Sequence, residues 1–200
     1  MLYCKYAESI AWLARELLKA RPELKADITE RDVEFMLAGV PDEKKPGIKF
    51  ESIVSRAIRK QHYVYLESML SIMLRLCERS APGLNFATLI AKHGGVEHLY
   101  MCCTPQIARP SVLKLALNVL CYVTPHIENM IAKQAILGLA IHHAHNATDI
   151  SIDHFTIAII DAIIARDQAL QVKLFQSNYV HHTCTLIIKY GAREMLSKIT

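Results

Sequence analysis

Apolar residues recur at intervals of three and four along most of the chain, and no alternating apolar and polar run is bounded by hairpin turns. A period of three to four residues is typical of amphipathic α-helices, whereas strict alternation is typical of half-buried strands. The pattern therefore predicts an all-α fold. Gly and Pro residues interrupt it at intervals and divide the chain into successive helices.

The first two predicted helices have recognisable ends. The first, Tyr3–Ala20, is followed by the helix-ending pair Arg21-Pro22. One face of it carries the apolar side chains of Ile10, Leu13, Leu17 and Leu18. Thr29 and Asp32 have the spacing of a capping box, so we expect the second helix to begin there and to stop at Gly39 and Pro41.

A polar, breaker-rich segment separates these helices from the rest of the chain. Residues 41–47 read Pro-Asp-Glu-Lys-Lys-Pro-Gly, a composition typical of a loop or a linker. We therefore predict an irregular helical N-terminal segment at 1–47 and a second region at 48–200. Two further helices, at 50–60 and 63–79, begin that region.

The second region contains weak internal repeats. Residues 88–99 and 185–196 are identical at seven of twelve positions, and residues 131–135 resemble residues 90–94 at a spacing of 41 residues. Such a spacing is typical of repeats of two or three helices. A small residue stands where we expect each helix pair to bend, and these residues are Gly94, Ala135 and Gly191.

A short and then a longer helix are predicted after each of the first two bends, at 96–103 and 111–123 and then at 136–143 and 152–165. This order resembles the armadillo repeat, in which a short helix ending near Gly-Gly or Gly-Ala precedes a second helix and a long third helix that lines a concave surface. The resemblance covers Tyr63 to Thr200. It implies a right-handed α-solenoid of armadillo-like repeats; the alternative is an irregular helical bundle with chance matches.

Two departures from the armadillo pattern change what we expect of the chain. Members that read basic import signals carry Trp and Asn on the third helix. Here Asn118 fits, but Tyr122 stands near the Trp position, so we do not expect an import receptor. The third copy ends at Thr200 within its second helix, so we expect either a cover over that edge or a longer array.

Composition and charge exclude several classes of protein. Apolar residues make up 52% of the chain and charged residues 21%, with seven Gly and seven Pro, which excludes disordered, collagen-like and disulfide-scaffold chains. The net charge of +4 is small for a dedicated nucleic-acid binder. The six cysteines show no zinc or redox spacing, and no secretory signal is visible. These features predict a cytoplasmic protein with reduced thiols and no membrane contact.

Candidate catalytic and metal-binding residues are few. His142, His143 and His145 form a cluster that could serve a metal-dependent enzyme, but no established ligand spacing results, and histidines also suit the C-terminal end of a helix. Cys102 and Cys103 follow His98 on an apolar helix, where packing is the simpler interpretation. We therefore predict that the chain is not an enzyme and has no catalytic residue, metal or cofactor.

The predicted function is that of a protein-binding adaptor or scaffold that holds an extended or helical peptide segment of a partner in the groove of the long helices. The residues expected in this groove are Ser71, Arg75, Asn118, Tyr122 and Asp161. Tyr122 and Arg75 are the expected anchors, since such residues dominate interface hot spots. The alternative is binding of nucleic acid or of an acidic surface through small basic patches such as that of Arg59 and Lys60, with Tyr63 and Tyr65 nearby. Cytoskeletal and signalling roles are equally open, as is the oligomeric state.

Overall fold

The computed structural model describes residues 2–38, 53–78, 85–105, 109–146 and 149–165. Regular secondary structure in these ranges is helical throughout, which confirms the predicted all-α class for them. The α-helices in chain order are α1 Leu2–Ala20, α2 Glu30–Ala38, α3 Ile53–Arg59, α4 Tyr63–Glu78, α5 Phe86–Lys92, α6 Gly95–Cys102, α7 Pro110–Val123, α8 Met130–Asn146 and α9 Ile150–Ile164. The described residues also include 3-10 helices at Pro22–Asp27 and Thr124–His126. None of the helices in these ranges combines the length and the apolar character needed to cross a membrane.

Polar side chains fix the starts of α2 and α9. The backbone N–H and the hydroxyl of Thr29 both donate to the Asp32 carboxylate, at 2.9 and 2.6 Å. The predicted capping interaction is therefore present, and these hydrogen bonds lower the pKa of Asp32. Asp149 caps α9 with its own side chain, because its Oδ1 accepts the Ser151 N–H at 2.9 Å.

The junction of α5 and α6 depends on two consecutive glycines. Gly94 has a φ of +83°, a left-handed conformation that favours glycine. A Cβ on Gly95 would lie 2.4 Å from Cγ2 and 2.6 Å from the carbonyl oxygen of Ile90, so only glycine fits between α5 and α6. The predicted bend at Gly94 is confirmed.

The chain divides into two compact units, Met1–Glu128 and Asn129–Thr200. The predicted linker at 41–47 lies outside the described residues, as does the third repeat copy with its bend at Gly191. The boundary predicted at residue 47 is therefore not among the features that the structure describes. Within the first unit, α1 packs on α4 and α2 packs on α5.

Several contacts in the first unit join helices that are three positions apart in chain order, and others join chain neighbours such as α6 with α7 and α3 with α4. Helix α4 contacts both α1 and α7, α2 contacts α5, and α3 contacts α6. Tyr63 and Glu67 near the start of α4 interact with Arg109 and Ser111 near the start of α7. At the other end, the charge of Glu78 on α4 acts on Tyr122 of α7, so these two helices run parallel. The side chains at the centre of this packing are fully buried and include Leu66, Leu70, Met73, Ile90, Leu117 and Leu120.

The apolar face predicted for α1 is only partly buried. Leu18 is buried together with Ala11, but Ile10 is 66% exposed, Leu13 52% and Leu17 45%. Helix α1 thus turns the side of Ala11 and Leu18 inward, where a small side chain permits close approach, and leaves the larger apolar stripe on the surface. Spacing identified the stripe but not the side of the helix that a neighbour covers.

The second unit contains a packed pair of helices, α8 and α9. The bend predicted at Ala135 is wrong, because Ala135 lies inside the uninterrupted helix Met130–Asn146. Alanine has the highest intrinsic helix propensity and nothing at this position forces a left-handed backbone. In α9, Asp153 lies in the first turn and is 1% exposed.

Candidate functional site

Four of the five predicted groove residues lie on the solvent side of two adjacent helices. Ser71 and Arg75 are on α4, Asn118 and Tyr122 are on α7, and each is exposed or half-exposed. They belong to one surface, which we call the α4–α7 face and define by Glu67, Ser71, Arg75, Glu78, Ser111, Asn118 and Tyr122. Because α4 contacts α7 along a parallel arrangement, the two rows of side chains run side by side.

Interactions at the start of the α4–α7 face link its two rows of side chains. Beside the start of the face, the guanidinium carbon of Arg109 lies 3.8 Å from the centre of the Tyr63 ring. The Ser111 hydroxyl donates to the Glu67 carboxylate across a chain separation of 44 residues. At the other end, burial and then the charge of Glu78 raise the pKa of Tyr122, which places that carboxylate near the phenol.

Hydrogen-bonding capacity on the face is only partly used by the chain itself. Nη1 of Arg75 lies 3.2 Å from Oε2 of Glu78 in an ion pair. A guanidinium has five N–H donors, so this contact leaves donors that a ligand can use. The Ser71 hydroxyl donates to the Glu67 carbonyl oxygen at 2.6 Å, and its oxygen keeps the capacity to accept.

The fifth predicted groove residue, Asp161, belongs to the second unit. Its side chain is exposed on α9. The site is therefore described from the first unit alone, and a role of Asp161 in the same groove stays a prediction.

Two histidines of the predicted cluster, His142 and His143, differ in their exposure. His142 is exposed whereas His143 is buried, and their rings meet edge to face with centroids 5.3 Å apart. Among the residues that the structure describes, no group of three His, Cys, Asp or Glu side chains could hold a metal ion. The side chain of His145 lies outside that part of the chain, as do His181 and His182.

The thiols beside His98 have the properties of packing residues. Cys102 and Cys103 are fully buried. Burial raises the pKa of Cys102 to about 12 and that of Cys103 well above its usual value, so both thiols are protonated at neutral pH. Nδ1 of His98 lies 2.8 Å from the Gly94 carbonyl oxygen, which ties this ring to the bend between α5 and α6.

The tyrosines suggested as a stacking platform for nucleic acid are already engaged. Tyr65 is buried, and burial raises its pKa to about 12. Arg109 covers the ring of Tyr63. Arg59 and Lys60 are exposed at the end of α3, as expected for a solvated basic patch.

Sequence reasoning missed the residues that align the face, namely Tyr63, Glu67, Arg109 and Ser111. A signal exists for one of these pairs, because Glu67 and Ser111 are 44 residues apart, as are Glu78 and Tyr122 at the other end of the face. That separation is informative only once the two helices are known to be parallel neighbours.

Comparison of the chain with protein-family models, with curated proteins and with solved structures gives no match. What the molecule can do is therefore inferred from its own side chains and their geometry.

Proposed function

We propose that this chain is a cytoplasmic protein-binding adaptor that holds a peptide segment of a partner along the α4–α7 face. The observation that carries this proposal is the side-by-side placement of Ser71 and Arg75 with Asn118 and Tyr122 on two parallel helices. Such a surface offers an extended row of polar groups with an aromatic and an arginine anchor, which is the composition of protein-binding hot spots.

The proposed architecture is an armadillo-like α-solenoid. It is supported by the contacts of α4 with α1 and α7, of α2 with α5, and of α3 with α6. Contacts between every third helix are expected when three-helix repeats stack, because each helix then meets its counterpart in the next repeat. The parallel direction of α4 and α7 agrees with counterparts of this kind.

The side chains of the face suit an extended peptide backbone. Asn118 can donate to a carbonyl oxygen and accept from an N–H, so one residue can bind both groups of a peptide unit. The Arg75 guanidinium supplies further donors to carbonyl oxygens beside it. Tyr122 contributes a large, rigid apolar surface at a small loss of conformational entropy, which favours it as an anchor.

Peptide display on the full-length chain tests this function. We expect selected peptides to lose about 1–3 kcal/mol of binding free energy with each of Tyr122→Ala and Arg75→Ala, measured by calorimetry on the folded variants. Matched controls are Tyr100→Ala and Arg31→Ala, because both side chains are exposed on helices outside the face. Selected peptides whose affinity is unchanged by the face variants, or is equally reduced by the controls, contradict the proposal.

A further inference from the structure

A concavity lies where α1 and α4 both end. Its volume is about 150 Å³, and it is lined by Leu18, Lys19, Pro22, Lys25, Arg75 and Glu78. We call it the basic pocket, because three cationic side chains face one carboxylate in its lining. These cations come from the last turn of α1, from the 3-10 helix and from the last turn of α4.

Cations near helix C-termini are common, since they interact favourably with the helix dipole. All three cations of the pocket lie in the last turn of their helices, and Lys25 is also largely buried, at 9% exposure. The charge of Lys25 reaches the Cys77 thiol of α4, where it opposes the burial that raises the pKa of Cys77 to about 12.

The other two cations keep part of their binding capacity. Nζ of Lys19 lies 4.0 Å from Glu16 Oε2, at the outer limit of an ion pair, and Oε1 of Glu16 is bound by Arg15 at 2.8 Å. Arg75 binds Glu78 through one nitrogen of its guanidinium. The pocket therefore brings three cations and one carboxylate together at one concavity.

We propose that the basic pocket binds an oxyanion on the partner peptide, a phosphorylated or carboxylate side chain, while the adjoining peptide lies on the α4–α7 face. Arg75 belongs to both surfaces, so a peptide beside it can place a side chain against Lys19 and Lys25. The proposal rests on the proposed function. A phosphate dianion competes better than a carboxylate with Glu78 for the guanidinium, so phosphate is the preferred group.

Titration of the full-length chain with inorganic phosphate tests the pocket without any peptide. Calorimetry at constant ionic strength is expected to show binding that weakens about tenfold in Lys19→Gln, the loss expected for one hydrogen bond to a charged group. Lys19 is largely exposed, so this variant keeps the fold. Lys60→Gln, with the same change of charge at an exposed site outside the pocket, is expected to bind phosphate as the wild type does. Absence of binding, or equal loss in both variants, overturns the proposal.

A peptide series identifies the source of the oxyanion. One displayed peptide is made with phosphoserine, Asp or Asn at the position nearest Arg75, and we expect affinity to fall in that order. Lys19→Gln is expected to weaken the first two about tenfold and to leave the Asn peptide unchanged, whereas Tyr122→Ala weakens all three.

The outcomes of the two experiments separate the pocket from the adaptor function. Equal binding of the three peptides, all sensitive to Tyr122→Ala, overturns the oxyanion proposal and leaves the adaptor function standing. Phosphate binding without any peptide binding overturns the adaptor function and the peptide as the source. Tighter binding of a single-stranded RNA oligonucleotide than of the phosphopeptide, with the same dependence on Lys19, overturns a peptide ligand in favour of nucleic acid.

Discussion

The α5–α6 junction and helix α8 begin from the same three residues and take different paths. Ile-Ala-Lys occurs at 90–92 and at 131–133, and two positions later the first segment has Gly94 where the second has Ala135. At Gly94 the backbone turns into the left-handed region and a new helix begins. At Ala135 the helix continues to Asn146.

This difference shows which feature produces the bend. Both segments have a small residue at this position, Gly94 or Ala135, so small size alone does not end a helix. The junction also has a second glycine, Gly95, that lets α6 approach Ile90. The junction therefore differs from α8 in two respects: Gly94 tolerates a positive φ, and Gly95 has no Cβ where α6 approaches Ile90.

The largest expected effect comes from Gly95→Ala. The added Cβ would lie 2.4 Å from Ile90 Cγ2 and 2.6 Å from its carbonyl oxygen, so the backbone of the junction must shift. We expect the free energy of unfolding to fall by about 3 kcal/mol, measured by urea denaturation. Gly138→Ala in α8 is the matched control, because nothing lies within 4 Å of its Cβ position, and we expect a gain of about 0.5–1 kcal/mol. Equal effects of the two variants would show that the close approach at Gly95 is absent.

Gly94→Ala is expected to have the next largest effect. An alanine at a φ of +83° is strained by about 1–2 kcal/mol, although no atom lies within 4 Å of the Cβ position. Gly94→Asn should destabilise the chain less, since asparagine tolerates the left-handed region better. Urea denaturation of the two variants checks this order, and an asparagine variant as unstable as the alanine variant contradicts it.

The reverse substitution, Ala135→Gly, tests whether glycine alone makes a bend. We expect a loss of about 0.5–1 kcal/mol, the usual difference between glycine and alanine inside a helix, with α8 still continuous. Backbone chemical shifts of residues 133–137 report the conformation directly. Non-helical shifts at that point would mean that a single glycine is sufficient for the bend.

The smallest expected effect concerns the acid stability of the α2–α5 contact. Oε1 of Glu30 lies 2.8 Å from Nζ of Lys92 and 3.1 Å from Nε2 of His93. The hydrogen bond with Lys92 has the largest effect and that with His93 the next, and together they lower the pKa of Glu30 below its usual 4.5. The stabilisation that these interactions give is present above pH 4.5 and is lost as pH falls through the pKa that Glu30 has in the folded state. Unfolding midpoints from pH 7 to pH 3 should therefore fall slightly less in Glu30→Gln than in the wild type, and identical pH profiles would refute this role.

Local chemistry in the sequence was sufficient to predict several elements of the fold. Thr29 and Asp32 cap α2 as predicted because their interaction spans only three residues. Gly94 bends the chain as predicted because its positive φ depends on that one residue. Ala135 was misassigned because the residues matched at 90–92 and 131–133 suit any helix, and so they carry no information about a bend.

Tertiary neighbours decided the features that the sequence did not reveal. Helical spacing placed Ser71 with Arg75, and Asn118 with Tyr122, each pair four residues apart on one side of a helix. It did not reveal that α4 and α7 are parallel neighbours, nor that Lys25 lies near the end of α4. Both facts depend on segments far apart in the chain.

Chemical-shift mapping of a displayed peptide on the isotope-labelled full-length chain tests the central claim most directly. We predict that the largest shifts of backbone amides occur at Ser71, Arg75, Asn118 and Tyr122, with small shifts at Tyr100 and its neighbours on α6. Shifts concentrated on α6, or on the exposed apolar stripe of α1, with none at the four residues of the face, would contradict a peptide bound between α4 and α7.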